Sequence, residues 1–506
     1  MSMPAEAMRS HGTLAILLEG IADAPEIEVT GISSDSKSLS PGDVFFALVG
    51  ERGHGLDHVA EAIEAGVSAV VWDSCADVLA PDHLDVPMIP VAGLSKHIGD
   101  IANRYFDSPS ESMKVVGVTG TNGKTTVSFL VAQCMQMLGK PCAYLGTLGF
   151  GIGDLETDSE MTTPPCIDLH RKLAAFRDEG AGFAAIEVSS HALQQDRING
   201  VKFDSAIFTN LSRDHIDYHG SMRAYGETKA QLFLDRDIGH RVICMDTEFG
   251  QELADQCGDD VVTVSTRFDR LANGRPFVFV RSVVATDAGS NIEVDSSWGE
   301  FDFHLPLPGD FNVANAISVL GLLLSWDIPV ADAREVLSKV SAPPGRMQRV
   351  ADACSPGVYI DYAHTPASLE AALRSLRSHC RKSLWCVFGC GGDRDRGKRP
   401  MMGKTAARLA DHIIVTNDNP RSELPGNIIA DILEGVGDKH GVIAIEDRAT
   451  AISYAIHEAA DDDVVLIAGK GHENYQLIGN QRLSFSDHDA ALANIIARSG
   501  QSVRRQ

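Results

Sequence analysis

The stretch GVTGTNGKTT, Gly117 to Thr126, constrains this chain more than any other. It follows the β-branched run KVV and opens a segment in which Val127, Leu130, Val131, Cys134 and Leu138 recur at helical spacing. A strand that turns through glycines into a helix N-terminus is the setting a phosphate-binding loop requires. Glycines let backbone N–H groups approach phosphate oxygens, and the helix end adds partial positive charge. The loop Gly120, Thr121, Asn122, Gly123, Lys124, Thr125, Thr126 is therefore expected to hold ATP. Lys124 would neutralise the β- and γ-phosphates and Thr125 would hold magnesium. The strict spacing puts four residues between the glycines, whereas Gly117 and Gly123 enclose five, so the loop is a variant.

A loop of this kind sits on a mostly parallel sheet, and the flanking sequence agrees. From Lys114 onward apolar strands such as FAAIEVSS and SAIFTNLS alternate with helical stretches, which predicts an α/β sheet covered by helices. Upstream, DVFFALVG, SAVVWD and PMIPVA surround the helical HVAEAIEAGV and read as a small α/β domain. SAPPGRM, Ser341 to Met347, marks a linker. Beyond it SLWCVFG, HIIVTND and VVLIAGKG restart the alternation. At 506 residues the chain exceeds what one core serves. We place domains at 1–110, 111–342 and 343–506. A formal net charge of −25 argues against a general nucleic-acid or anionic-membrane surface. Ten cysteines without a CxxC pair fit reduced thiols, and neither a leader nor a membrane span is visible, so a soluble cytoplasmic protein is expected.

Strand ends in the central region carry chemistry. EVSSHALQQDR puts Glu187, Ser189, Ser190 and His191 just past an apolar run, and TNLSRDHIDYHG does the same with Asp214, His215, Asp217 and His219. Ligands bind outside the carboxyl ends of parallel strands. Either cluster alone reads as a surface loop; both at the edge that bears the phosphate loop read as ligands for substrate or a divalent cation. In the third domain the strand IIVTN breaks into Asp418-Asn419-Pro420-Arg421. By itself this is a solvated turn.

Taken together, GVTGTNGKTT, EVSSHALQQDR, TNLSRDHIDYHG, PGDFNVANA, DYAHTP, FGCGGDRDRGKR, DNPR and AGKGHENYQ resemble the ATP-dependent Mur ligases of peptidoglycan synthesis, in the family's order and across almost the whole chain. The resemblance implies an N-terminal domain for a UDP-sugar, a central ATPase and a C-terminal Rossmann-like domain that brings an amino acid. It implies that Ser34, Ser36, Glu51, Arg52 and Gly53 contact the UDP-sugar. Thr162, Thr163, Ser189, Gln195 and Arg197 match positions holding the muramoyl-dipeptide, and Met161 stands where some relatives have asparagine. Asn312 and Asn315 match an adenine-reading pair; Arg346 and Asp361 match residues that meet the nucleotide. Lys229 matches a lysine that the family carbamylates, with Glu187 and His215 beside it at the metal; two magnesium ions are implied, with ATP as substrate.

The implied reaction is amide formation. The γ-carboxylate of the D-glutamate in UDP-MurNAc-L-Ala-D-Glu attacks ATP, and the amine of meso-2,6-diaminopimelate displaces phosphate from the resulting acyl phosphate. Arg421 implies diaminopimelate, because family members that add lysine often carry a neutral residue there and a guanidinium grips a carboxylate through two parallel hydrogen bonds. Arg394, Asp418, Asn419, Pro420, Gly469 and Glu473 match the rest of that pocket, Glu473 being the partner expected for the distal ammonium. The partners implied are small molecules alone, without nucleic acid or membrane insertion, acting on a monomer. Lysine addition, a folylpolyglutamate-type ligase and a nucleotide-binding regulator without turnover are the alternatives.

Overall fold

The structure, a computed structural model, describes residues 12–504 apart from 51–52, 76–77, 82–83, 158–160, 269–273, 287–288 and 352–355. It resolves into two compact units, Met1–Lys124 with Met135–Ile243 and Thr247–Val261, and Thr125–Cys134 with Cys244–Asp246 and Val262–Gln506.

The first unit begins with a parallel sheet in the order Ile32–Ser33, Val44–Ala47, Ala69–Asp73, Met88–Val91. Successive side chains leave a strand on opposite faces. Val44, Phe46 and Val71 therefore pack with Leu94, Ile98 and Ile101 of the helix Leu94–Tyr105 on one face. Phe45, Val70 and Trp72 meet Leu56, Val59 and Ala62 on the other. Pro90 is confined to the edge strand, where its missing N–H costs no ladder bond.

The larger sheet of this unit runs His240–Cys244, Ser205–Phe208, Lys114–Thr119, Phe183–Glu187, Cys142–Gly146, Gly149–Gly151, parallel except for the last strand. Lys114–Thr119 is central. Its neighbours Phe183–Glu187 and Ser205–Phe208 end beside it, so the phosphate loop, Glu187 to Ser189 and Thr209 to His215 reach one edge, as expected from the motifs. The close approach of the helix Leu94–Tyr105 to Asn199 depends on glycine: a Cβ on Gly99 would stand 2.3 Å from the backbone of Asn199.

In the second unit Val261–Ser265 pairs in parallel with the long strand Phe277–Thr286, which turns back antiparallel through Gly289–Ser296 to Phe301–Leu305. This antiparallel meander is the exception in a sheet that the sequence reads as mostly parallel. The outer half of Phe277–Thr286 is largely exposed, so its apolar run carried no half-buried alternation.

The C-terminal sheet has the order Gln348–Arg349, Gly357–Asp361, Val464–Ala468, Leu384–Phe388, His412–Val415, Val442–Ala444. All but the first strand are parallel. VVLIA, Val464 to Ala468, is buried throughout because helices cover both faces. The carboxyl ends of these strands carry Asp361, the loop from Gly389, the loop from Asn417 and Gly469 to Glu473. Beneath them Arg448 and Asp487, both fully buried, pair through Nε and Nη2 at 2.7 Å, and Arg448 also donates to the carbonyls of Asn417 and Ala468.

Asp487→Ala is expected to cost about 3–5 kcal/mol, because it leaves a buried guanidinium without its counter-charge, whereas Arg448→Met with Asp487→Leu recovers most of the loss. The urea midpoint of the C-terminal transition measures both.

Candidate active site

The loop after Lys114–Thr119 is shaped by Gly120 and Gly123, at φ 146° and 89°. A Cβ on Gly120 would lie 2.0 Å from Thr209 Oγ1 and 3.0 Å from the backbone of Asn210. Gly117, counted in the spacing above, lies instead in the strand under Phe203, so the five-residue interval does not describe the loop itself. Thr121 N donates to Asn210 O at 2.8 Å, Asn122 N to Asn210 Oδ1 at 3.1 Å, and Thr209 Oγ1 to Asn122 O at 2.6 Å. The turn is thus clamped to the neighbouring strand end. Lys124 Nζ donates to the carbonyls of Gly120 and Thr121, both at 3.0 Å. The buried Thr125 and Thr126 follow at the start of the helix Lys124–Met137.

Glu187, at the end of the next strand, is 0% exposed, and its carboxylate accepts from Tyr144 Oη at 2.5 Å, Thr147 N at 2.9 Å and Thr147 Oγ1 at 3.2 Å. Thr163 Oγ1 donates to Glu187 O at 2.6 Å and lies 3.5 Å from Ser189 Oγ, while Thr162 and Thr147 hydroxyls meet at 3.1 Å. Arg197 donates to Thr163 O at 3.0 Å, bonds Gln195 and touches Met161 Sδ at 3.2 Å; Gln195 donates to Tyr218 Oη at 3.1 Å. The five residues expected at the muramoyl-dipeptide therefore form one network around the Glu187 strand end. Met161, half exposed beside Arg197, takes a cation in place of an amide contact.

Lys229 sits on Met222–Leu234, a helix buried on several faces, and is only 1% exposed. Its ammonium lies 4.4 Å from the Tyr225 ring centre, and no described residue accepts a hydrogen bond from it. Burial first, then the charge of Lys124, holds its pKa well below the usual lysine value, with Asp214 opposing. Burial favours the neutral amine, which is the form that adds to CO2, and a carbamate there would gain from the nearby Lys124 cation. His215, at φ 51°, stands at the N-cap position of the short helix Ile216–His219 without a side-chain cap and meets His191 edge-on, ring centres 4.9 Å apart. Among the described residues no three His, Cys, Asp or Glu side chains gather as a metal cage. A fixed carboxylate and a lysine convertible to a carbamate are oxygen donors of the kind magnesium takes, and near a phosphate loop that ion borrows phosphate oxygens and few protein ligands; His215 adds an imidazole beside them.

In the N-terminal sheet Ser34 is half-buried and Ser36 donates to Glu61 at 2.6 Å, while Gly53 accepts from Gly50 N at 2.9 Å. Glu51 and Arg52 lie outside the described residues.

In the second unit Asn312 and Asn315 are 2% and 5% exposed on the helix Asp310–Ser325; Asn312 Nδ2 donates to Pro308 O at 2.8 Å, and Asn315 to Asn312 Oδ1 at 3.4 Å. Asp361 accepts from Met347 N at 2.8 Å; burial raises its carboxyl, with Arg346 lowering it. Arg346 lies 4.7 Å over the Tyr362 ring, and its Nε is buried without a partner. Burial, with Arg346 adding to it, pushes the neighbouring His472 down to about 4.

Around the DNPR loop, Asn419 donates to Glu473 at 2.9 Å and accepts from Leu477 N at 3.0 Å. The fully buried Lys470 bridges Glu473 at 2.8 Å and Asn419 at 3.2 Å. Glu473 Oε2 is therefore shared between Asn419 and Lys470, a lysine that the motif had not singled out. Gly469, φ 118°, leaves no room for a Cβ, which would meet Asp418 Oδ2 at 2.5 Å. Arg421 adopts φ 51°, and its Nη1 donates to Gly392 O at 2.8 Å. Arg394 is exposed on the Gly392 loop. Tyr144, Thr147, Tyr218 and Lys470 are the supporting residues that sequence reasoning missed. Tyr218 and Lys470 lay inside quoted motifs, whereas Tyr144 and Thr147 did not.

Three consecutive segments match family models: residues 28–106 the Mur ligase family, catalytic domain, 118–323 the Mur ligase middle domain, and 345–471 the Mur ligase, glutamate ligase domain. The chain belongs to the Mur ligase family. Relatives from Coxiella burnetii and Pseudomonas syringae pv. tomato are each 43% identical over 92% of this chain and 95% of their own length, and are named UDP-N-acetylmuramoyl-L-alanyl-D-glutamate--2,6-diaminopimelate ligase. A solved structure of that name, 33% identical, superposes with a TM-score of 0.72 over 96% of this chain and 99% of its own. A Mycobacterium tuberculosis folylpolyglutamate synthase complexed with ADP and AMPPCP shares the fold, with a TM-score of 0.60 at 20% identity over 78% of this chain and 93% of its own.

The depressed Lys229 pKa has a sign that can be tested. Between the folded and unfolded pKa values the unfolded chain binds more protons, so this residue makes stability rise with pH up to the ordinary lysine value of about 10.4. Lys229→Met is expected to unfold at a higher temperature than the parent at pH 7 in CO2-depleted buffer, with the gain shrinking toward pH 10. Thermal scans across that range measure it.

Proposed function

We propose that this chain is an ATP-dependent amide ligase joining meso-2,6-diaminopimelate to the γ-carboxylate of D-glutamate in UDP-MurNAc-L-Ala-D-Glu. The relatives' shared name supports the reaction. The observation that carries the amino acid is Arg421: with Nη1 on Gly392 O, its Nε and Nη2 have no partner among the described residues and form a two-donor edge suited to a carboxylate. Diaminopimelate has that second carboxylate and lysine lacks it. On this reading the N-terminal segment 1–110 takes the UDP-sugar, 111–342 ATP, and 343–506 the amino acid.

A carboxylate is inert toward an amine, so the γ-carboxylate first attacks the γ-phosphorus of ATP and ADP leaves. The amine then attacks the carbonyl of the acyl phosphate, loses a proton, and inorganic phosphate departs from the tetrahedral intermediate. The loop Gly120 to Thr126 holds the phosphates with its N–H groups, and Lys124 offsets their charge. Magnesium, held through Glu187, His215 and a carbamylated Lys229, would neutralise the transferring phosphoryl group. Tyr144 and Thr147 fix the Glu187 carboxylate. Thr162, Thr163, Ser189, Gln195 and Arg197 orient the peptide end of the acceptor, and bound geometry supplies much of the acceleration. No covalent enzyme intermediate is required. Burial raises the thiols of Cys134, Cys166, Cys244 and Cys390 to about 12, which keeps them protonated and unreactive.

Phosphate release is expected only with ATP, UDP-MurNAc-L-Ala-D-Glu and diaminopimelate together, the product gaining the mass of one diaminopimelate residue. Equal turnover with L-lysine or L-ornithine would contradict the assignment. Arg421→Ala is expected to weaken diaminopimelate by about 2–5 kcal/mol, roughly thirty-fold to several thousand-fold, with ATP binding retained. Lys229→Ala should lose activity and regain part of it with added short carboxylates; full activity without them refutes the carbamate.

A further inference from the structure

We propose that Arg399, Glu423 and Asp393 act as positioning residues, clasping two strand-end loops so that Arg421 presents its carboxylate-binding edge and discriminates diaminopimelate from lysine. This rests on the reading of Arg421 given above.

The two loops follow Leu384–Phe388 and His412–Val415, which are adjacent parallel strands. They run in backbone contact. Gly392 N donates to Asn419 O at 2.9 Å, and a Cβ on Gly392 would lie 1.9 Å from Pro420 O. Each loop then caps the other. Asp393 accepts from Ser422 N at 3.0 Å and Ser422 Oγ at 2.7 Å, while Glu423 accepts from Asp393 N at 2.7 Å.

Arg399 locks this exchange from beneath. Its guanidinium, 0% exposed, donates to both Glu423 oxygens at 2.8 and 3.1 Å, to Asp431 at 2.9 Å and to Gly391 O at 3.3 Å. The pairing with Arg399 holds the Glu423 carboxyl down at about 2, so it stays ionised at any working pH.

Arg421 needs such support. A non-glycine residue at φ 51° is strained and persists only where its surroundings impose the conformation. Leu477 O accepts from Arg421 N at 2.9 Å and Gly479 N donates to Arg421 O at 2.7 Å, which fixes the backbone from the hairpin side. Gly392 O fixes Nη1 from the loop side, but only while the clasp keeps Gly391 to Asp393 against Pro420. Glu423, two residues from Arg421, is too well occupied by Arg399 to be a ligand itself. Its effect on the amino acid passes through Arg421.

The test compares Glu423→Gln, which preserves size, and Asp393→Ala, which is exposed and leaves the buried guanidinium paired. Each is expected to raise the KM for diaminopimelate about ten- to a hundred-fold with a much smaller fall in kcat and an unchanged KM for ATP, and to narrow the preference over lysine. In the Arg421→Ala background neither should add to the loss, because the effect passes through that side chain. Unchanged KM for diaminopimelate in both variants, or losses that add to that of Arg421→Ala, would overturn the proposal. If Arg421→Ala itself leaves the KM unchanged, the reading of the pocket fails instead.

Discussion

At Gly120 the phosphate loop passes so close to Thr209 and Asn210 that no side chain fits between them. That approach depends on strand order, since Lys114–Thr119 and Ser205–Phe208 must be neighbours in register for their ends to meet. Once they do, Asn210 caps the loop and the same strand end delivers Asp214 and His215. Phe183–Glu187 closes the other side. A single backbone contact thus ties the glycine turn to the groups proposed to manage the charge of the transferring phosphoryl group.

Burial shapes the chemistry of this edge. Lys229 is buried beside the Tyr225 ring, and desolvation, with the charge of Lys124, holds its pKa well below the usual lysine value. Glu187 is equally buried but fully hydrogen-bonded, so it remains a defined acceptor. The C-terminal sheet solves the opposite problem: it holds Arg399 and Arg448 as buried cations by surrounding them with carboxylates and carbonyls. Both arginines anchor loops at the carboxyl ends of strands, where the amino-acid pocket is proposed.

The glycine turn after Lys114–Thr119 was legible in the sequence because a close approach to backbone at positive φ dictates glycine, and glycine is visible in a string of letters. The parallel strands were legible for a similar reason, as continuous apolar runs mark sheets covered on both faces. Lys229 was not: helix periodicity gave no sign that this side chain turns inward, and only family resemblance singled it out. Tyr144 reaches Glu187 from 43 residues away, a partnership that no local pattern encodes. Arg399 closes the run RDRGKR, which by composition reads as a solvated charge cluster. The antiparallel meander from Phe277 to Leu305 escaped because its long first strand is half exposed.

The central claim is that a carboxylate is activated by ATP and then captured by diaminopimelate. UDP-MurNAc-L-Ala-D-Glu labelled with oxygen-18 in the D-glutamate γ-carboxylate tests it directly, with ATP and diaminopimelate supplied and the released phosphate weighed by mass spectrometry. Transfer through an acyl phosphate predicts one labelled oxygen in each phosphate and one in the new amide. Unlabelled phosphate accompanying ligated product would contradict the mechanism, and labelled phosphate released equally well with lysine would contradict the role given to Arg421.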